Sequence, residues 1–120
     1  SHHENKEENL VQYQHIAQWH IEQYAYLLNK LKQMPEGEGN VLDHSMIMFG
    51  SGLRDGNRHS PRNLPLVIAG SAGGAIKTGQ HLINDTNTPL SNLYCCMLKA
   101  FGTPVEKFAD STELLPGVLA

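Results

Sequence analysis

Two short apolar runs confine most of what this chain can fold into. Ser45-Met46-Ile47-Met48-Phe49 and Leu64-Pro65-Leu66-Val67-Ile68-Ala69 bracket Gly50-Ser51-Gly52-Leu53-Arg54-Asp55-Gly56-Asn57-Arg58-His59. Near-continuous apolarity over so few residues suits strands covered on both faces. The segment between them is polar and glycine-rich. A loop of that kind, held by a sheet, is a usual place for binding chemistry. Asp55 and His59 lie four residues apart around Gly56 and can turn toward one point. Carboxylate and imidazole together suit zinc, manganese or a similar divalent ion. Arg54 and Arg58 could instead hold an oxyanion with the guanidinium fork. The plainer alternative is an Asx-type turn, in which Asp55 and Asn57 bond their own backbone.

Helical signals flank the two runs. Leu10, Tyr13, Ala17, Ile21, Tyr24, Leu28 and Leu31 recur at three- and four-residue steps. That spacing predicts an amphipathic helix over 9–34, widened by Ile16, Leu27 and Met34 and stopped by Pro35. Trp19 and Tyr26 fall on its flank and predict a ridge that packs on a part of the protein missing from this chain. His20 lies within the stripe and reads as a hydrogen-bonded core residue, whereas His15 lies on the polar side. Residues 36–40 read as a glycine-rich turn, and 75–83 as an edge strand or irregular hairpin. Thr88 as N-cap and Pro89 as first helical residue open a second helix. Its predicted face is Leu90, Leu93, Tyr94, Met97, Leu98 and Phe101, and Gly102 ends it as a left-handed cap. Residues 104–120 read as a mostly irregular tail with one turn at 105–108. Helix, strand, strand, helix with short connections indicates a layered α/β unit.

Composition narrows the function classes. Nine Lys and Arg against twelve Asp and Glu leave a net charge of −3, and no basic stripe interleaved with aromatics occurs. A general nucleic-acid binder is therefore not expected. No apolar run reaches the roughly 18 residues that span a bilayer. Cys95 and Cys96 are adjacent and alone, which fits neither a zinc motif nor a disulfide framework, and they read as helix packing. Seven histidines in 120 residues motivate a search for ligands. His2 and His3 are candidates, while His44 and His81 read as structural. The chain opens on Ser1-His2-His3 without methionine or signal segment. Residues 1–120 are accordingly read as a single C-terminal fragment of a larger α/β domain, whose missing N-terminal part is its expected partner.

Three stretches together resemble one family. Ser1-His2-His3, the segment Gln18-Trp19-His20-Ile21-Glu22-Gln23-Tyr24-Ala25-Tyr26-Leu27, and the loop from Gly50 to His59 are similar to the bacterial HXXSHH proteins. That family is a domain of unknown function whose members usually carry an export signal far upstream. The resemblance implies an exported or periplasmic protein. The order of elements is similar, more distantly, to the C-terminal half of the alkaline phosphatase and sulfatase superfamily. That likeness implies a partial three-layer sheet with flanking helices, and a divalent metal ion of the zinc or manganese type. The ligands it implies are Asp55, His59 and one of His2 or His3, with Asn57 and Arg58 steadying the substrate oxyanion. Two departures accompany it. The usual Asp-His-Gly reads Asp55-Gly56-Asn57 here, and the superfamily's nucleophile belongs to the N-terminal half. No catalytic residue is therefore expected within this chain. The implied activity is metal-dependent hydrolysis of a phosphate or sulfate ester. The competing expectation is a catalytically silent exported module for binding or assembly that keeps the fold.

Overall fold

A computed structural model describes residues 3–120. Six elements follow one another: α1 (Glu7–Gln33), β1 (Pro35–Glu36), β2 (Gly39–Asn40), β3 (Ile47–Gly50), β4 (Leu66–Ala69) and α2 (Leu90–Ala100). The strands form two antiparallel pairs, β1 with β2 and β3 with β4. The mixed α/β character matches the sequence reading. The three-layer sheet implied by the resemblance is not seen among the described residues, where each sheet has two strands.

Register decides what each face of the β3–β4 ribbon meets. Met48 lies opposite Ile68, Phe49 opposite Val67, and Gly50 opposite Leu66. Side chains alternate along a strand, so Met48, Leu66 and Ile68 share one face and Phe49 and Val67 the other. The first face packs on the core made by Ile76, Leu93, Cys96 and Val118. The second receives α1. The Tyr24 ring stacks on Phe49 at 5.1 Å, and its hydroxyl donates to the Ile47 carbonyl at 2.8 Å. Burial holds the Tyr24 hydroxyl above its ordinary titration range. Gly70 closes β4 with φ +86, where a Cβ would strike the Ser45 carbonyl and lie 2.6 Å from the Leu42 carbonyl oxygen. Only glycine combines that dihedral with that clearance.

Five expectations need correction. The face of α1 is far less covered than its periodicity predicts: Ala17, Tyr24, Leu28 and Leu31 are half-buried, whereas Leu10, Tyr13 and Ile21 stay exposed. His20 is likewise exposed and bonds within its own helix, its Nδ1 lying 2.9 Å from the Ile16 carbonyl oxygen. Residues 75–83 form no hairpin. Ile76 instead bridges Leu119, and the Lys77 N–H donates to the Val118 carbonyl at 2.9 Å. The buried face of α2 is Ser91, Asn92, Leu93, Cys95 and Cys96, and Phe101 is exposed. The reason is the tail. Residues 104–120 are irregular, as expected, but they lie across α2 and satisfy its polar side chains. Ser91 donates to Asp110 at 2.6 Å, Asn92 accepts the Thr112 N–H at 2.9 Å, and the Leu115 N–H donates to Cys96 Sγ at 3.2 Å. The turn expected at 105–108 falls instead at Ala109–Asp110.

The helix ends are close to expectation. Pro89 takes the N-cap position, one residue later than predicted. Gly102, at φ +87, lets the Thr103 N–H reach the Leu98 carbonyl at 3.0 Å and its own N–H reach Lys99 at 3.1 Å. That pair of bonds is the Schellman ending.

Candidate functional site

The loop between β3 and β4 is closed by its own backbone. The Arg54 N–H donates to Ser60 at 2.8 Å and the Ser60 N–H to Asp55 at 3.1 Å, so Asp55 and Ser60 pair as an antiparallel bridge. Asp55 Oδ1 accepts the N–H groups of Asn57 at 2.9 Å and Arg58 at 3.2 Å. The Asx-type turn is thus realised for Asp55. Its Oδ2 lies 3.8 Å from Arg58 Nε, with the carboxylate side chain 31% and the arginine 82% exposed. The Arg58 N–H, ahead of the Asn57 N–H and the charges of Arg58 and His3, holds the Asp55 carboxyl below the ordinary carboxylate range against partial desolvation.

A second turn meets this loop from the start of the chain. The Lys6 N–H donates to the His3 carbonyl at 2.9 Å, enclosing Glu4 and Asn5 at φ +52 and +56. Two successive left-handed residues mark a mirror-image turn. Asn tolerates that conformation, whereas a Glu there is strained. Asn57 holds the turn in place from across 54 residues of sequence. Its Oδ1 accepts the N–H of His3 at 2.9 Å and of Glu4 at 3.1 Å. Its Nδ2 faces His3 Nδ1 at 3.2 Å and donates to Asn5 Oδ1 at 3.3 Å. The His3 ring also lies 6.4 Å from that of Tyr13 on the first turns of α1.

The candidate residues are therefore distributed as follows. His3, Asp55, Asn57 and Arg58 form one connected cluster. Asn57 spends its side chain on the turn and not on open solvent, so its place is to position other groups. Arg58 projects outward. His59 sits in the same loop, exposed, with φ +50. His2 lies outside the described residues. Among the described residues, no three His, Cys, Asp or Glu side chains gather into a group that could hold a metal ion. The donor types still suit a borderline divalent ion. Of the Asp55 oxygens, Oδ1 takes two backbone N–H groups, and Oδ2 faces the Arg58 guanidinium at 3.8 Å. The clasp formed by Asn57 was not legible in the sequence. Its only signal is an Asn in a turn-rich segment, and nothing local joins position 57 to position 3.

The chain matches no family model, no curated protein and no solved structure. No helix among the described residues is long and apolar enough to cross a membrane.

Proposed function

We propose that the Asp55 loop and the turn at His3 form one wall of a site for a phosphate- or sulfate-type ester in an HXXSHH-like, alkaline-phosphatase-like protein. The observation that carries this reading is the clasp itself. A strained turn and a polar loop, far apart in sequence, are held together by one fully engaged amide. Strain that the surroundings over-determine is commonly found where a site must be preorganised. In this reading Asp55 Oδ2, His59 and one imidazole of the His2-His3 pair are ligands to a divalent ion of zinc or manganese type. Such an ion, when bound, neutralises charge on the ester's oxygens. Arg58 offers its guanidinium to the same oxyanion. The superfamily's nucleophile has no counterpart among these 120 residues, so the chain by itself is expected to be inactive.

The test is direct binding. Zinc and manganese affinity is measured calorimetrically for the chain and for Asp55→Ala and His59→Ala. Each substitution is expected to weaken binding on the order of tenfold or more, since each removes a ligand. Equal affinity in all three proteins would end the metal reading. One observation favours the second reading, a silent exported binding or assembly module: Gly56 stands beside Asp55 where the superfamily places an imidazole. Under that reading the longer protein binds ligand without turning it over.

A further inference from the structure

The proton on the His3 imidazole can be placed from backbone donors alone. The N–H groups of His3 and Glu4 can only donate, and both point at the same atom of Asn57, at 2.9 and 3.1 Å. That atom must be Oδ1, so the amide cannot be turned over. The other end of Asn57 is then the NH2 group, and it faces His3 Nδ1 at 3.2 Å. A third backbone donor, the Asn5 N–H, points at the same Nδ1 at 3.1 Å. Two donors converge on Nδ1, so Nδ1 must be the acceptor nitrogen. In a neutral imidazole the proton is then on Nε2.

This has a chemical consequence. A metal ion binds a ring nitrogen through its lone pair. At His3 the Nδ1 lone pair is already shared by two N–H donors. Binding through Nε2 would first require the proton to move to Nδ1, where it would meet those donors head-on. A metal-ligating histidine ordinarily donates its second nitrogen to a carboxylate or carbonyl, the reverse of what surrounds His3. We infer that Asn57 is a positioning residue that fixes His3 as its Nε2–H tautomer, so that His3 donates a hydrogen bond to an anionic oxygen and is not a metal ligand. The identity of that oxygen, a phosphate- or sulfate-type group, rests on the functional proposal above. The tautomer does not.

Long-range nitrogen–proton correlation spectra of the 15N-labelled 120-residue chain test the assignment, recorded above the ordinary imidazole titration range, with His3→Ala identifying the signals. The expected pattern has Nδ1 resonating as an unprotonated nitrogen and Nε2 as a protonated one. Asn57→Asp keeps an oxygen for the His3 and Glu4 N–H groups but turns an acceptor toward Nδ1. With the Asn5 N–H still donating to Nδ1, the variant is expected to lose the clean Nε2–H pattern and average toward the Nδ1–H form, a change that a merely structural role for Asn57 would not produce. Averaged tautomers in the unsubstituted protein, or an unchanged pattern in Asn57→Asp, overturn the inference. Inorganic phosphate is expected to shift the Nε2–H proton, and no shift overturns the donor role. Zinc separates this inference from the functional proposal. Zinc-dependent loss of the His3 nitrogen signals at one equivalent makes His3 a ligand and overturns the inference while sparing the metal reading. Zinc that binds nowhere sinks the metal reading, and an undisturbed His3 pattern then still supports the tautomer.

Discussion

Asp55 shows how one side chain can serve a turn and a site together. Its Oδ1 takes two backbone N–H groups and its Oδ2 faces Arg58. All of these contacts favour the charged form, which is why its carboxyl titrates low. The sign of the resulting pH dependence follows. A carboxyl lowered on folding adds its stabilisation in full above the unfolded value, near 3.8, and loses it as pH falls through the lower folded value. The turn is therefore expected to hold at neutral pH and to loosen in acid. Amide hydrogen exchange at Asn57 and Arg58 should quicken below that window, relative to amides of α2 followed in the same spectra. Asp55→Asn keeps an acceptor oxygen without the charge, so its turn amides should lose this dependence. Equal acid sensitivity in both proteins would remove the charge from the account. The sequence supported two readings of Asp55, an Asx turn or a ligand. The structure realises the first through Oδ1 and turns Oδ2 toward Arg58, a division invisible in residue spacing.

At the scale of elements, α2 illustrates what periodicity reads well and what it misses. Its existence, its glycine cap and the packing role of Cys95 and Cys96 follow from local pattern. Its orientation follows only in part. Hydropathy places the buried face on Leu90, Leu93, Tyr94, Met97, Leu98 and Phe101, because Asn and Ser count as outward residues; of these Leu93 is buried, and Leu90 and Met97 pack against the core. The tail turns the buried side toward Ser91 and Asn92 by satisfying them, and Phe101 is left exposed. Asn92, 1% exposed, accepts the N–H groups of Thr112 and Glu113 and donates to the Thr112 hydroxyl. A buried polar side chain is tolerated when its partners are built in. Asn92→Ala leaves two backbone donors without their acceptor, which costs about 1–3 kcal/mol for an unsatisfied buried group. Urea denaturation should show that loss, and limited proteolysis should cut first within 110–116. Asn92→Ala with unchanged stability and an uncut tail would contradict the strap. The loop between β3 and β4 was legible for a similar reason to the helix cap. Glycines and Asx residues act locally, so their turns can be read, whereas the clasp from Asn57 to His3 is a tertiary contact with no local signature.

The whole molecule is open for its length. Its radius of gyration is 16.5 Å, against about 14 Å for a compact chain of this size. Among the described residues the buried apolar core is Ile76, Leu93, Cys95, Cys96 and Val118. All five lie on the α2 side of the β3–β4 ribbon or in the tail that crosses it. On the other side α1 has no buried residue. Tyr24 meets the ribbon at Phe49 and Ile47, and Leu28 and Leu31 are half-buried. Val11, Ile16, Trp19, Ile21 and Tyr26, spread around the remaining surface, are each 47–60% exposed. A helix apolar on so many sides is stable in water only with cover on more than one of them. The ridge of Trp19 and Tyr26 lies on the side of α1 turned away from Tyr24. Lys30 lies over the Tyr26 ring at 5.3 Å, and His20 stands edge-on to Trp19 at 5.1 Å. Both of those contacts come from α1 itself. The chain on its own should therefore show Trp19 fluorescence that acrylamide quenches nearly as well as it quenches free tryptophan. It should also bind a hydrophobic dye in its folded state. Quenching several-fold weaker than for free tryptophan, in a preparation that sediments as a monomer, would mean that α1 folds back onto the rest of the chain in solution. A shielded Trp19 in an oligomeric preparation would instead mean that copies of the chain cover one another along α1.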